Sequence, residues 1–93
     1  MARREYPFQL KNNLDKYLRI KQAQVTVERN EVVTLQAIYG EMAEYMDVTE
    51  NTVALIKAGN YNPSLIVAMA MAEYLGTSVD ELFEIHRKEV QVN

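Results

Sequence analysis

The 93-residue chain has no cysteine, a single histidine, three glycines and two prolines. Without cysteine there is no disulfide framework and no thiol nucleophile, and the fold needs no oxidising compartment. His86 has no second histidine or cysteine beside it to share a metal ion, so it reads as an ordinary surface residue and no metal or cofactor is expected. The few glycines form no phosphate-cradling loop. No serine is set beside a base, and no pair of carboxylates is separated by an apolar pocket. The chain is therefore not expected to be an enzyme. No apolar run approaches the ~18 residues of a membrane span, and the opening MARREYPFQ lacks the apolar stretch of a signal peptide. A cytoplasmic protein without a membrane partner is the expectation.

What is present suits one folded domain over residues 1–93: 48% of residues are hydrophobic and 25% charged. The net charge is −3 and the pI about 5.1. The charges are unevenly spread. Residues 1–30 carry seven bases (Arg3, Arg4, Lys11, Lys16, Arg19, Lys21, Arg29) against three acids (Glu5, Asp15, Glu28), whereas residues 31–93 carry three bases against ten acids. Contacts with an anionic partner would thus come from the amino-terminal third and isolated residues such as Lys57, unless those bases are only a solvated helix face.

The richest local signals lie between Met42 and Phe83. Met42, Ala43 and Met46 fall at helical spacing, Asp47-Val48 interrupts them, and Thr49 restarts a helix as its N-cap before Val53, Ile56 and a terminal Gly59. That order is helix, tight turn, helix. Asn62-Pro63-Ser64 then opens a further helix, with proline at its first position, whose apolar side is Leu65, Ile66, Ala68, Met69, Ala72 and Leu75, ending at Gly76. Ser78 and Glu81 form a capping-box pattern for a short helix carrying Val79, Leu82, Phe83 and Ile85. Met42, Met46, Met69 and Met71 read as core or helix-face residues rather than a ligand box.

With these pieces in order, VTENTVALIKAGNYNPS (48–64), AMAMAEYLG (68–76) and TSVDELF (77–83), the chain resembles the Cro and CI repressor type of helix-turn-helix regulators, the XRE family. Together with Leu14–Arg19 as a first helix, the resemblance spans roughly two thirds of the sequence. It implies a mostly α, five-helix, lambda-repressor-like domain. It also implies a sequence-specific regulator of transcription, acting as a repressor, that binds double-stranded operator DNA as a homodimer through a recognition helix over residues 49–58.

In that reading Thr49 caps the recognition helix, and Glu50, Asn51 and Thr52 face base edges in its first turn with Leu55 one turn on. Asn51 suits adenine N6 and N7, Glu50 can accept from cytosine N4, Thr52 can touch phosphate or a thymine methyl, and Leu55 offers apolar contact only. Lys57, Asn60 and Tyr61 would approach the backbone, although Asn60, Asn62 and Tyr61 read equally well as turn, cap and packing residues. Tyr39 stands where the family commonly places a glutamine that braces the phosphate at the start of the second helix. No arginine, lysine or glutamine occupies the family's reading positions, which argues against strong guanine readout.

A second departure is the stretch Ala23–Leu35, AQVTVERNEVVTL, longer than the family's turn and rich in alternating β-branched residues. It predicts a β-hairpin inserted between the first two helices at 23–35, turning at Arg29-Asn30, although Glu28 would then face Glu31. Such a hairpin could be a wing on DNA, a dimer contact or a cover over the core. Residues 86–93 form a tail whose Lys88–Asn93 alternation is a second strand candidate that could serve a partner subunit.

A function of another class also fits the acidic reading face. Glu50, Leu55 and Ala58 could present an apolar, acid-rimmed surface to a protein partner, as in an antirepressor, an antitoxin-like protein or an inhibitor of another regulator.

Overall fold

Leu14, Leu18 and Val25 fall on one stripe of a continuous helix, and all three are buried. The computed structural model, which describes residues 7–88, runs β1 (Phe8–Asn12), α1 (Leu14–Arg29), α2 (Leu35–Met46), α3 (Glu50–Ala58), α4 (Leu65–Leu75), α5 (Val79–Leu82) and β2 (Phe83–Arg87). The expected mostly α, five-helix architecture is present, and its first helix is far longer than Leu14–Arg19.

The hairpin expected over 23–35 is replaced by helix. Residues 23–29 continue α1 because Val25 extends the buried stripe of Leu14 and Leu18, and adding turns to an existing helix costs less than nucleating a new hairpin. The β preference of Val25, Thr26 and Val27 amounts to only tenths of a kcal/mol each, roughly the spread of ordinary helix propensities, and core burial outweighs it. Asn30 does adopt a positive φ of 55°, but as the left-handed cap of α1: its own N–H donates to Val27 O and that of Glu31 to Thr26 O. The connector that follows is tied back onto the helix. Gln22 Nε2 donates to Val33 O at 2.9 Å, Val33 N–H donates to Thr26 Oγ1 at 3.3 Å, and the Val33 side chain is buried.

Hydroxyl caps set the later helices. Thr34, Thr49, Ser64 and Ser78 each accept the backbone N–H three residues on, from Ala37, Thr52, Val67 and Glu81. Ser64, not Asn62, is therefore the cap of α4, and Pro63 precedes the helix instead of opening it. Left-handed residues close α2, α3 and α4 at Asp47 (φ 56°), Gly59 (φ 81°) and Gly76 (φ 71°). The apolar side of α4 also differs from expectation: Ala68, Met71, Ala72 and Leu75 are buried, whereas Leu65, Ile66 and Met69 are exposed by 72%, 77% and 56%. The first turn of α4 thus projects from the core, whose largest fully buried members are Leu14, Leu18, Ile38, Met42, Val53, Ile56, Met71 and Leu82.

The only sheet among the described residues joins β1 and β2 antiparallel, from Phe8 opposite Arg87 to Asn12 opposite Phe83. Phe83 and Ile85, expected on the short helix, lie on β2 instead. Of the tail expected at 86–93, His86 and Arg87 belong to β2 and residues 89–93 lie outside the described residues. No described helix is long and apolar enough to cross a membrane.

Candidate nucleic-acid interface

The turn between α2 and α3 takes three residues, Asp47, Val48 and Thr49. Asp47 tolerates its left-handed backbone because a short polar side chain can, and the Val48 N–H closes on Ala43 O at 3.0 Å. Ala43 is buried, and Val53 and Ile56 face the core from α3. The inward face of α3 is thereby fixed, which leaves Glu50, Asn51, Ala54 and Leu55 exposed on its other side.

Within that face each candidate has a defined setting. Thr49 Oγ1 accepts the Thr52 N–H at 3.1 Å and lies 3.0 Å from Thr52 Oγ1, so the Thr52 hydroxyl is partly engaged in the cap. Asn51 is exposed in the first turn of α3, where a side-chain amide can present both donor and acceptor. Leu55 is 37% exposed one turn on. Glu50 folds back over α2: its Oε1 accepts from Gln36 Nε2 at 3.3 Å, and a Cβ added at Gly40 would come within 3.0 Å of the same oxygen. The absence of a side chain at Gly40 makes the notch in which Glu50 rests.

Tyr39 is placed differently from its expected position. The second helix begins at Leu35, so Tyr39 lies a turn inside it, half-buried and packed against the core. Gln36, in the first turn of α2 and touching Glu50, is the polar residue that occupies the helix start. The signal for it was Thr34, whose capping of Ala37 moves the helix start four residues earlier.

Beyond α3, Asn60 and Tyr61 are exposed in the loop to α4; the Asn60 N–H closes the helix onto Leu55 O at 2.9 Å, and Tyr61 is 52% exposed. The carboxyl end of α3 is clamped by β1. Asn12 Nδ2 donates to Ile56 O at 3.1 Å and to Lys57 O at 3.2 Å, while its Oδ1 accepts the Leu14 N–H that starts α1. One asparagine thus links the strand, the first helix and the candidate recognition helix.

The bases are more engaged than their count suggests. Lys57 Nζ lies 3.8 Å from Asp15 Oδ1, and Arg19 Nε holds the other oxygen of the same carboxylate at 3.0 Å. The Arg19 hydrogen bond, with smaller help from Lys57, lowers the Asp15 pKa below the usual carboxylate value. Arg29 grips Glu41 with both terminal nitrogens, at 2.9 and 2.5 Å, which lowers the Glu41 pKa and raises that of Arg29. Lys21 lies over the Tyr74 ring at 4.8 Å, so Lys21 and Arg29 gather where α1 meets α2 and α4. Lys11 stands opposite Glu84 in the ribbon, and Arg3 and Arg4 lie outside the described residues. Among the described residues no cluster of His, Asp and Glu is arranged to hold a metal.

Residues 39–82 match the family model for a helix-turn-helix, a span that runs from within α2 to the end of α5. No curated protein matches the chain. The family is one of DNA-binding regulatory domains and not of enzymes. The capped α2–turn–α3 geometry and the matched span agree: residues 39–82 are a helix-turn-helix domain of the Cro/CI (XRE) type, the domain of a DNA-binding regulator.

Proposed function

We propose that the chain is a cytoplasmic, sequence-specific repressor of transcription that binds operator DNA as a homodimer, with α3 as its recognition helix. The observation that carries this reading is the exposed first turn of α3, in which Asn51 is solvent-facing while Val53 and Ile56 anchor the helix from behind. Asn51 reads adenine, Leu55 packs on a thymine methyl, and Glu50, steadied by Gln36 and the Gly40 notch, accepts from cytosine N4. The Thr49 cap, Thr52, Asn60 and Tyr61 meet the phosphate backbone beside them, with the α3 amino terminus adding its favourable dipole. Lys57, held near Asp15, contributes a weak electrostatic pull at most.

A second reading is favoured by one observation: Arg19, Arg29 and Lys57 all have carboxylate neighbours, and the reading face carries Glu50 and Leu55 without a basic residue. A protein-binding module built on this fold would have such a surface.

Selection from random duplex DNA by the purified protein, at low and at higher salt, separates the two readings. A two-fold-symmetric enriched site supports the repressor. Its affinity falls as salt rises, each neutralised phosphate adding about 0.9 to the slope. A folded protein that enriches no sequence at either salt contradicts it and leaves the protein-binding module.

A further inference from the structure

Helix α1 carries two apolar stripes. Leu14, Leu18 and Val25 form the buried one. Ile20, Ala23 and Val27 form the other, spaced i, i+3 and i+7, and at about 3.6 residues per turn they point away from the core-facing side. All three are exposed, Ile20 by 41% and Val27 by 80%. Ala23, Gln24, Val27 and Glu28 border a shallow, mainly apolar depression on this side. The outer side of a helix is ordinarily polar, and β-branched valine adds nothing to helix propensity, so solvent gives no reason for the stripe. Its spacing is that of a seam between two packed helices, and small Ala23 at its centre lets a second backbone come close.

The charges around the stripe are sorted by end. Asp15, Lys16 and Arg19 lie at its amino-terminal end, where Lys57 of α3 approaches Asp15, so three bases meet one acid. Glu28, Arg29 and Glu31 lie at the other end, where Arg29 is already matched by Glu41 and two acids stay unbalanced. Among the described residues Lys16, Glu28 and Glu31 have no ion-pair partner. A surface that is apolar in the middle, basic at one end and acidic at the other is complementary to itself when turned end for end.

We propose that this face of α1 docks on the same face of a second copy of the chain, the two helices antiparallel about a two-fold axis beside Ala23. Ile20 of each copy then lies toward Val27 of the other, and Lys16 toward Glu31. A parallel arrangement would set base against base and acid against acid. The apolar stripe is about 10 Å long and covers well under the ~800 Å² per partner of a standard interface, so the free contact is weak. It lies on a different helix from α3 and goes beyond the pairing of two chains across one operator. It joins proteins bound at neighbouring operators, where the DNA supplies the effective concentration that the contact needs.

Sedimentation of the full chain over a series reaching millimolar concentration tests the contact. Ala23→Glu places two carboxylates across the axis at an exposed helical position, so the chain folds as before, which circular dichroism checks, and self-association through α1 weakens about tenfold or more. Lys16→Glu weakens it too, and adding Glu31→Lys to Lys16→Glu restores it, a rescue that only an antiparallel second copy provides. If the wild-type chain is already a dimer through another surface, the same variants act on the step from dimer to tetramer. A folded Ala23→Glu chain that associates like wild type, or a double reversal without rescue, overturns the α1 contact. So does a wild-type chain that stays monomeric throughout. The operator reading is tested separately: a two-fold-symmetric DNA site selected equally by wild type and Ala23→Glu upholds it, and its failure leaves the sedimentation result for α1 unchanged.

Discussion

Gly40→Ala probes the notch beneath Glu50. A glycine in the middle of α2 costs about 1 kcal/mol of helix stability relative to alanine. Its backbone shows no positive φ, so nothing in its own conformation requires glycine. The added methyl would meet Glu50 Oε1 at 3.0 Å, the far end of a flexible side chain that can rotate away. Rotation gives up the 3.3 Å bond from Gln36, an exposed contact contributing about 0.5 kcal/mol or less. The balance favours the variant by about 0.5 kcal/mol, which for a domain of this size raises Tm by roughly 2–4 °C. Thermal unfolding followed by circular dichroism reads the gain, and binding to single-base variants of the selected site reads the cost: preference at the position facing Glu50 weakens while the other positions hold. A variant less stable than wild type by 1 kcal/mol or more would refute the notch argument, because Gly40 would then be required for packing rather than for seating Glu50.

Three further outcomes follow from contacts elsewhere. Asn12→Ala removes both side-chain hydrogen bonds to the last turn of α3 and is expected to cost about 1–2 kcal/mol in chemical denaturation; a neutral variant would mean that β1 does not hold α3. Arg29 lowers the Glu41 pKa, so the stabilisation from this pair is complete above the unfolded carboxylate value of about 4.5 and is lost as pH falls through the folded value. Glu41→Gln should therefore flatten the acid limb of the stability profile while changing the neutral region little, and an unchanged acid limb would remove the pair from the account. Val25→Asp should unfold the domain, because Val25 is buried on α1; on a solvent-facing strand the same change would be mild.

Legibility in the sequence tracked the range of the interaction. The caps Thr49 and Ser78 and the left-handed Gly59 and Gly76 act within one turn, so α3, α4 and α5 could be read from neighbouring residues. Residues 23–29 were ambiguous because Val25 and Val27 satisfy strand alternation, while the Leu14–Leu18–Val25 stripe that decides the matter is visible only once α1 is extended. Nothing local announced that Phe8–Asn12 would pair with Phe83–Arg87, although the alternation of Phe8 and Leu10 with Gln9 and Lys11 was a faint trace of it. At the candidate interface, the exposure of Asn51 followed from the core-facing spacing of Val53 and Ile56. The seating of Glu50 on Gln36 and Gly40 did not, because it depends on how two helices cross. The same limit explains Lys57, which reads as a free base along the chain and meets Asp15 in space.

The central claim is that α3 reads base edges through its first turn, and Asn51→Ala tests it most directly. Wild type and variant are titrated against the selected site and its single-base substitutions at one fixed salt concentration. The account predicts that the variant loses about 1–3 kcal/mol of discrimination at one base pair while its binding to unrelated duplex is unchanged. A loss equal on every sequence, or no loss at all, would contradict it.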